Sequence, residues 1–186
     1  LEGLFGTVNK VVSTSELQEK KQLANLKIFC LILQHDKQVR EDMFGKTYQE
    51  EMDYLVKNEK RNKYIRNLVT GLQGNSLVLF QYVEKHGMEL KKLIEDKSDK
   101  QVFFVYGGVE AEEREKIRFI TEKSEGAIIV ASYGTFSTGI NIRNLHNIVF
   151  ASPSKSRIRN LQSIGRGLRL KDNDSDATLY DIADDL

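Results

Sequence analysis

One cysteine, three histidines, a net charge near zero and no long apolar run set the first limits on this 186-residue chain. Cys30 stands alone inside an apolar stretch, which excludes a disulfide framework and suits a reducing cytosol. Three scattered histidines and that single thiol give no spacing for a structural zinc site. No apolar run approaches the roughly 18 residues that a membrane span needs, and no signal-peptide pattern opens the chain. Lys and Arg number 28 against 27 Asp and Glu, so there is no global basic field. Any contact with nucleic acid must therefore come from local clustering. Internal repeats and low-complexity segments are absent as well.

What is present describes an ordinary globular protein, 40% hydrophobic and 30% charged, long enough to bury a core without cross-links. Residues 1–25 are mixed and polar and read as a lead-in or linker. The chain starts at Leu1 rather than at a methionine, so a piece of something longer is expected. "LKIFCLIL" (26–33) has the length of a buried strand. Residues 47–72 read as helix broken near Asn58, with Tyr48, Met52 and Leu55, then Tyr64, Ile65, Leu68, Val69 and Leu72 at helical spacing. A regular alternation follows. Strands are expected at 75–83, 101–107, 127–133, 146–153 and 177–183. Helices are expected within 85–96, 110–123 and 156–168, and a Gly/Ser/Thr loop after Tyr133. Near-continuous apolar strands separated by helices imply a parallel sheet covered on both faces. Ligands gather beyond the carboxyl ends of such strands, which points to the loops after Tyr82, Tyr106, Ser132 and Ser152.

Gly45-Lys46-Thr47 looks like the tail of a phosphate-binding P-loop. The full pattern needs a glycine at position 40, where this chain has Arg40, and a strand feeding into the loop. A glycine before a helix start is the better reading. "LQSIGRGLRLK" (161–171) is different in kind. On a helix, Ile158, Leu161, Ile164 and Leu168 form one stripe, and Arg159, Gln162, Arg166 and Arg169 share the other face. Spacing alone leaves two readings open, a solvated basic face and a phosphate site; guanidinium forks suit the second.

Gln162, Gly165, Arg166 and Arg169 resemble motif VI of superfamily 2 helicases. "ASYGTFSTGINI" (131–142) resembles motif V, with Asn141 where an aspartate is usual. "VYGGVEAEERE" (105–115) resembles the segment before motif V, and "LVLFQYVEKHG" (77–87) resembles motif IV. The four occur in order over residues 75–182. Together with "GKTYQEE", they are similar to phage recombination and repair helicases of that superfamily.

The resemblance implies an α/β, RecA-like fold of the P-loop NTPase type. Its sheet would be mostly parallel with helices on both faces, and would lack its own Walker A loop. It implies a linker or hinge over residues 1–25, leading from a missing first motor domain, and a second motor domain over 26–186. ATP and Mg2+ would be held mainly by the missing domain, which also carries the P-loop and the acidic magnesium box. Arg169 would be an arginine finger, with Arg166 its companion and Gln162 near the phosphates. Gly139, Asn141 and Gly165 would line the nucleotide. Ser132, Tyr133 and Gly134, with Gln81 and Tyr82, would hold a nucleic-acid backbone, which positions without reading sequence. The implied partners are DNA, single-stranded or branched, and the first motor domain in cis, with no membrane; the place is the cytoplasm, a host's if phage-encoded. A non-catalytic RecA-like module binding nucleic acid or protein is the alternative, and an NTPase using Lys46 and Thr47 is a third. Tyr106 could pack or stack, and the sequence does not separate the two.

Overall fold

The computed structural model describes residues 26–137, 142, 144–153 and 177–186. Among these, six strands form one all-parallel sheet: β1 (Leu26–Leu33), β2 (Ser76–Phe80), β3 (Val102–Val105), β4 (Ile128–Ser132), β5 (Asn147–Phe150) and β6 (Ala177–Asp184). Their spatial order is β1-β6-β5-β2-β4-β3. The helices are α1 (Lys37–Met43), α2 (Tyr48–Lys57), α3 (Glu59–Gly71), α4 (Met88–Glu95), α5 (Ala111–Lys123) and the short α6 (Tyr133–Ser137).

β2 sits in the middle of the sheet and is buried along its whole length. The period-2 alternation of a strand sends Leu77 and Leu79 to one face and Val78 and Phe80 to the other. Each set joins a separate apolar core. The first holds Ile117 of α5 with Ile129, Ile148 and Leu179. The second holds Ile65 and Val69 of α3 and Leu90 and Ile94 of α4, with Val130 and Val149. Helices therefore cover both faces, as the apolar strands require. Fully burying one such aliphatic side chain stabilises by roughly 1.5–3 kcal/mol, so these two layers dominate stability.

Asn58 explains the break in the long helical stretch. It closes α2 and also caps α3, its Oδ1 accepting from the Arg61 amide at 3.1 Å. The start of α2 settles the Gly-Lys-Thr segment. Gly45 turns the chain with φ of +76°, and Thr47 forms a reciprocal capping box with Glu50. Lys46 pairs with Glu50 at 3.6 Å. The segment follows α1, not a strand, and is a helix N-cap.

Two expectations need correction, and one helix was not foreseen. β1 is a strand, but it is not buried. It lies at the sheet edge with β6 as its one neighbour among the described residues, and Ile28, Phe29 and Ile32 are over half exposed. Lys37–Met43 is an unforeseen helix; its seven residues are too few for a full amphipathic stripe, and none is buried. The segment after β4 begins as the short helix α6 rather than a loop, because Ser132 Oγ accepts from the Thr135 amide at 3.3 Å in the manner of an N-cap. Residues 1–25 and the expected helix at 156–168 lie outside the described residues.

Candidate nucleic-acid face at the strand ends

In a parallel sheet all carboxyl ends share one edge. The order β5-β2-β4 puts the ends carrying Ser152, Gln81 and Ser132 side by side, with Phe80 in register with Ser132. The chain leaves β2 toward β3 on one side and leaves β5 toward β6 on the other. That divergence between adjacent strands is a topological switch point, where open α/β sheets bind ligands.

The backbone parts there for a visible reason. Ala151 N–H donates to the Leu79 carbonyl at 2.9 Å, so the next rung of a parallel ladder would join Gln81 N–H to the Ala151 carbonyl. Both groups are diverted. Gln81 N–H donates to Ser152 Oγ at 3.1 Å, and the Ala151 carbonyl accepts from Arg61 Nη1 at 2.7 Å. Arg61 is itself buried, with Nε 3.0 and 3.1 Å from the two Asp184 carboxylate oxygens. Its Nη2 is buried with no hydrogen-bond partner among the described residues. Burial lowers the guanidinium pKa and Asp184 acts against that shift; arginine stays charged regardless.

Behind Ser152 runs a buried polar chain. Ser152 Oγ is 2.8 Å from His86 Nδ1, and His86 Nε2 is 3.1 Å from Asn62 Oδ1. Asn62 Nδ2 donates to the Val56 carbonyl at 2.9 Å. Burial first, then the Arg61 charge, pushes the His86 pKa down to about 3, so the imidazole is neutral at physiological pH. His86 reaches inward because the chain after Tyr82 makes a π-helical turn, Val83–Gly87, with Gly87 N–H donating to the Tyr82 carbonyl at 2.9 Å. A Ser-His-Asn row suggests a nucleophile relay, but all three side chains are at most 3% exposed, so no substrate reaches the hydroxyl.

On the solvent side, Gln81 is exposed and Tyr82 half-buried. Tyr82 Oη donates to Gln49 Oε1 at 3.4 Å, and Lys85 Nζ stands 5.8 Å from its ring centre. Tyr133 is buried; its hydroxyl donates to the Ser152 carbonyl at 2.8 Å and its ring meets Phe150 edge-on. Ser132 Oγ is 2.7 Å from Thr135 Oγ1, and Gly134 is exposed with open space where a Cβ would stand.

Comparison with known proteins decides the family. Residues 59–171 match the model of the helicase conserved C-terminal domain. The chain is 42% identical over 185 residues to the ATP-dependent DNA helicase uvsW of Enterobacteria phage T4, covering 98% of this chain and 36% of that protein. The chain belongs to the helicase C-terminal domain family. The crystal structure of T4 UvsW superposes with a TM-score of 0.76 at 39% identity, over 98% of this chain and 35% of that one. A likeness in fold alone extends to the restriction-modification enzyme LlaBIII, 15% identical with a TM-score of 0.64 over 98% of this chain and 13% of that one. The chain thus spans about a third of the length of its phage relative.

The helicase-domain fold, with its RecA-like all-parallel sheet, is as the sequence implied. It brings Gln81, Tyr82, Ser132, Tyr133 and Gly134 together on adjacent strand ends. Tyr133 differs from the others in that its hydroxyl is spent inside the protein. The nucleotide-side residues Gly139, Asn141, Gln162, Gly165, Arg166 and Arg169 lie outside the described residues. Tyr106 packs, with its ring 5.5 Å from that of Phe104. Among the described residues no three metal-ligating side chains gather, and no helix is long and apolar enough to cross a membrane.

His86, Asn62, Ser152 and Arg61 were missed by the sequence reading. A signal for three of them was available. Arg61 and Asn62 fall on the stripe of Ile65 and Val69, and His86 on the stripe of Leu90 and Ile94. A polar side chain at an apolar stripe position must find buried partners.

Proposed function

We propose that this chain is the second motor domain of an ATP-dependent DNA helicase that remodels branched DNA, working with a first motor domain in cis. The observation that carries the reading is its 42% identity to a DNA helicase over 98% of its length. The adjacent β2 and β4 ends support it, since they offer Gln81, Tyr82, Ser132 and Gly134, with the backbone amides of that edge, as one surface for phosphates.

Bound between the two domains, ATP with its magnesium would supply phosphoryl transfer. From this chain, Arg169 would insert a guanidinium where negative charge develops, a contribution worth roughly 10³–10⁵ in rate. Arg166 would stand beside it, and Gln162 would hydrogen-bond near the phosphates. Gly139, Asn141 and Gly165 would form the wall on this side; Asn141 can accept a hydrogen bond without adding a charge. Tyr133 would act by holding its strand end to β5.

The test is DNA-stimulated ATP hydrolysis with single-stranded and forked DNA. The 186-residue chain alone should show no turnover while keeping weak, salt-sensitive DNA binding. Robust turnover by the chain alone would overturn the reading. In the full-length protein, Arg169→Ala should remove turnover far more than nucleotide binding, and equal losses would sink the finger assignment.

A further inference from the structure

The buried chain behind Ser152 has a direction that its hydrogen-bond chemistry fixes. Asn62 Nδ2 is committed to the Val56 carbonyl, so its Oδ1 faces His86 and accepts. His86 Nε2 must then carry the proton, and Nδ1 is left with a lone pair. Ser152 therefore donates its hydroxyl proton to Nδ1, and its oxygen accepts the Gln81 amide. Each link leaves the next only one orientation. The Ser152 carbonyl meanwhile accepts the Tyr133 hydroxyl. One residue thus ties the end of β5 to the ends of β2 and β4, where the ladder between β2 and β5 has already parted.

We propose that Ser152 and His86 are positioning residues for DNA binding: they hold the Gln81 peptide and Tyr133 in fixed relation, so that the two strand-end loops grip one nucleic-acid backbone together. This rests on the nucleic-acid reading of the strand ends given above. Neither residue touches the DNA, because both are at most 1% exposed. Their effect passes through the Gln81 amide and the Tyr133 hydroxyl. The neutral imidazole is what the device requires: a proton on Nδ1 would face the Ser152 donor, reverse the bond between the two side chains and leave the Ser152 hydroxyl proton without its buried partner. Arg61 adds to the parting by occupying the Ala151 carbonyl, which keeps the Gln81 amide from returning to the ladder.

The experiment uses a fluorescein-labelled single-stranded oligothymidylate and measures its affinity for the 186-residue chain by anisotropy, with thermal melts run alongside. Ser152→Ala should raise Kd about tenfold, the loss expected when one hydrogen bond to a charged phosphate is misplaced. Ser152→Thr, which keeps the hydroxyl, should recover most of the affinity. His86→Gln should fall between them, since an amide supplies both a donor and an acceptor but does not hold them at the spacing of the two ring nitrogens. A purely structural Ser152 would lower the melting temperature and leave the affinity of the folded protein unchanged, which would overturn the proposal. The double variant Gln81→Ala/Tyr82→Ala separates the two levels. If it binds as tightly as the wild type, the nucleic-acid reading of this edge is wrong. If it loses affinity while Ser152→Ala does not, only the positioning role fails. Independently of how any variant folds, nitrogen-15 NMR of the wild type should show His86 as the Nε2–H tautomer; the Nδ1–H form would refute the direction of the chain.

Discussion

His86→Gln should change how the protein resists acid. The wild-type imidazole protonates at about 3 in the folded chain, against an ordinary value of 6.5 when exposed. The native state therefore binds fewer protons than the unfolded one between those limits, and acid favours unfolding. His86's full contribution is present above about pH 6.5 and is lost as pH falls toward 3. Each pH unit inside the window costs about 1.4 kcal/mol, so moving from about pH 7.5 to about pH 4.5 should cost about 2.5 kcal/mol through this residue alone. Glutamine preserves the donor to Asn62 Oδ1 and the acceptor for Ser152, and it does not titrate. Glu50 and Asp53, whose carboxyls are held below their usual values by Thr47 and Lys85, are common to both proteins and cancel in the difference. Urea unfolding followed by circular dichroism at several pH values supplies the stabilities, provided the m-values agree. The wild type should lose about 2.5 kcal/mol relative to the variant across that range. Parallel pH profiles for the two proteins would refute a buried, neutral His86.

Five further outcomes are expected. Asn75→Ala should cost about 3 kcal/mol in chemical unfolding, because Nδ2 lies 2.8–2.9 Å from the carbonyls of Thr121, Ser124 and Asn144 and Oδ1 accepts from Ala127. It sits at the opposite edge of the sheet, so oligothymidylate affinity should not change. Gly87→Ala would place a Cβ 2.5 Å from the Phe80 ring, and should lower stability by about 1–3 kcal/mol through overpacking, read as a drop in melting temperature. Arg61→Met removes one partner of a buried pair and leaves Asp184 with His35 alone among the described residues; a loss of about 3–5 kcal/mol is expected in urea unfolding. Thr47→Ala should cost about 1 kcal/mol as a lost helix cap. Lys46→Ala, in the full-length protein, should leave ATP hydrolysis unchanged, since the Gly-Lys-Thr segment caps a helix.

Much of this was legible in the residues themselves. The alternation of apolar runs with helical stripes specified a parallel sheet, because a strand buried on both faces has no polar side to show; "SLVLF" is such a strand. The same logic misplaced "LKIFCLIL", for a run apolar on both sides reads as interior whatever its neighbours, and only the strand order reveals that it ends the sheet. Gln81, Ser132 and Gly134 could be placed together because every carboxyl end of a parallel sheet lies on one edge. What lay beyond the sequence was their support. Ser152 follows Gln81 by 71 residues and Asn62 precedes His86 by 24, and no local period links partners so far apart. Three of the supporting residues are nevertheless marked by a local conflict. His86 sits where Leu90 and Ile94 call for an apolar side chain, and Arg61 and Asn62 where Ile65 and Val69 do. A stable fold admits such misfits where they satisfy one another, and here their partners converge on the parting between β2 and β5. Polar residues on apolar stripes of different helices are thus a signal of one shared site, and pairing them in this chain would have led to the strand ends before any coordinates existed.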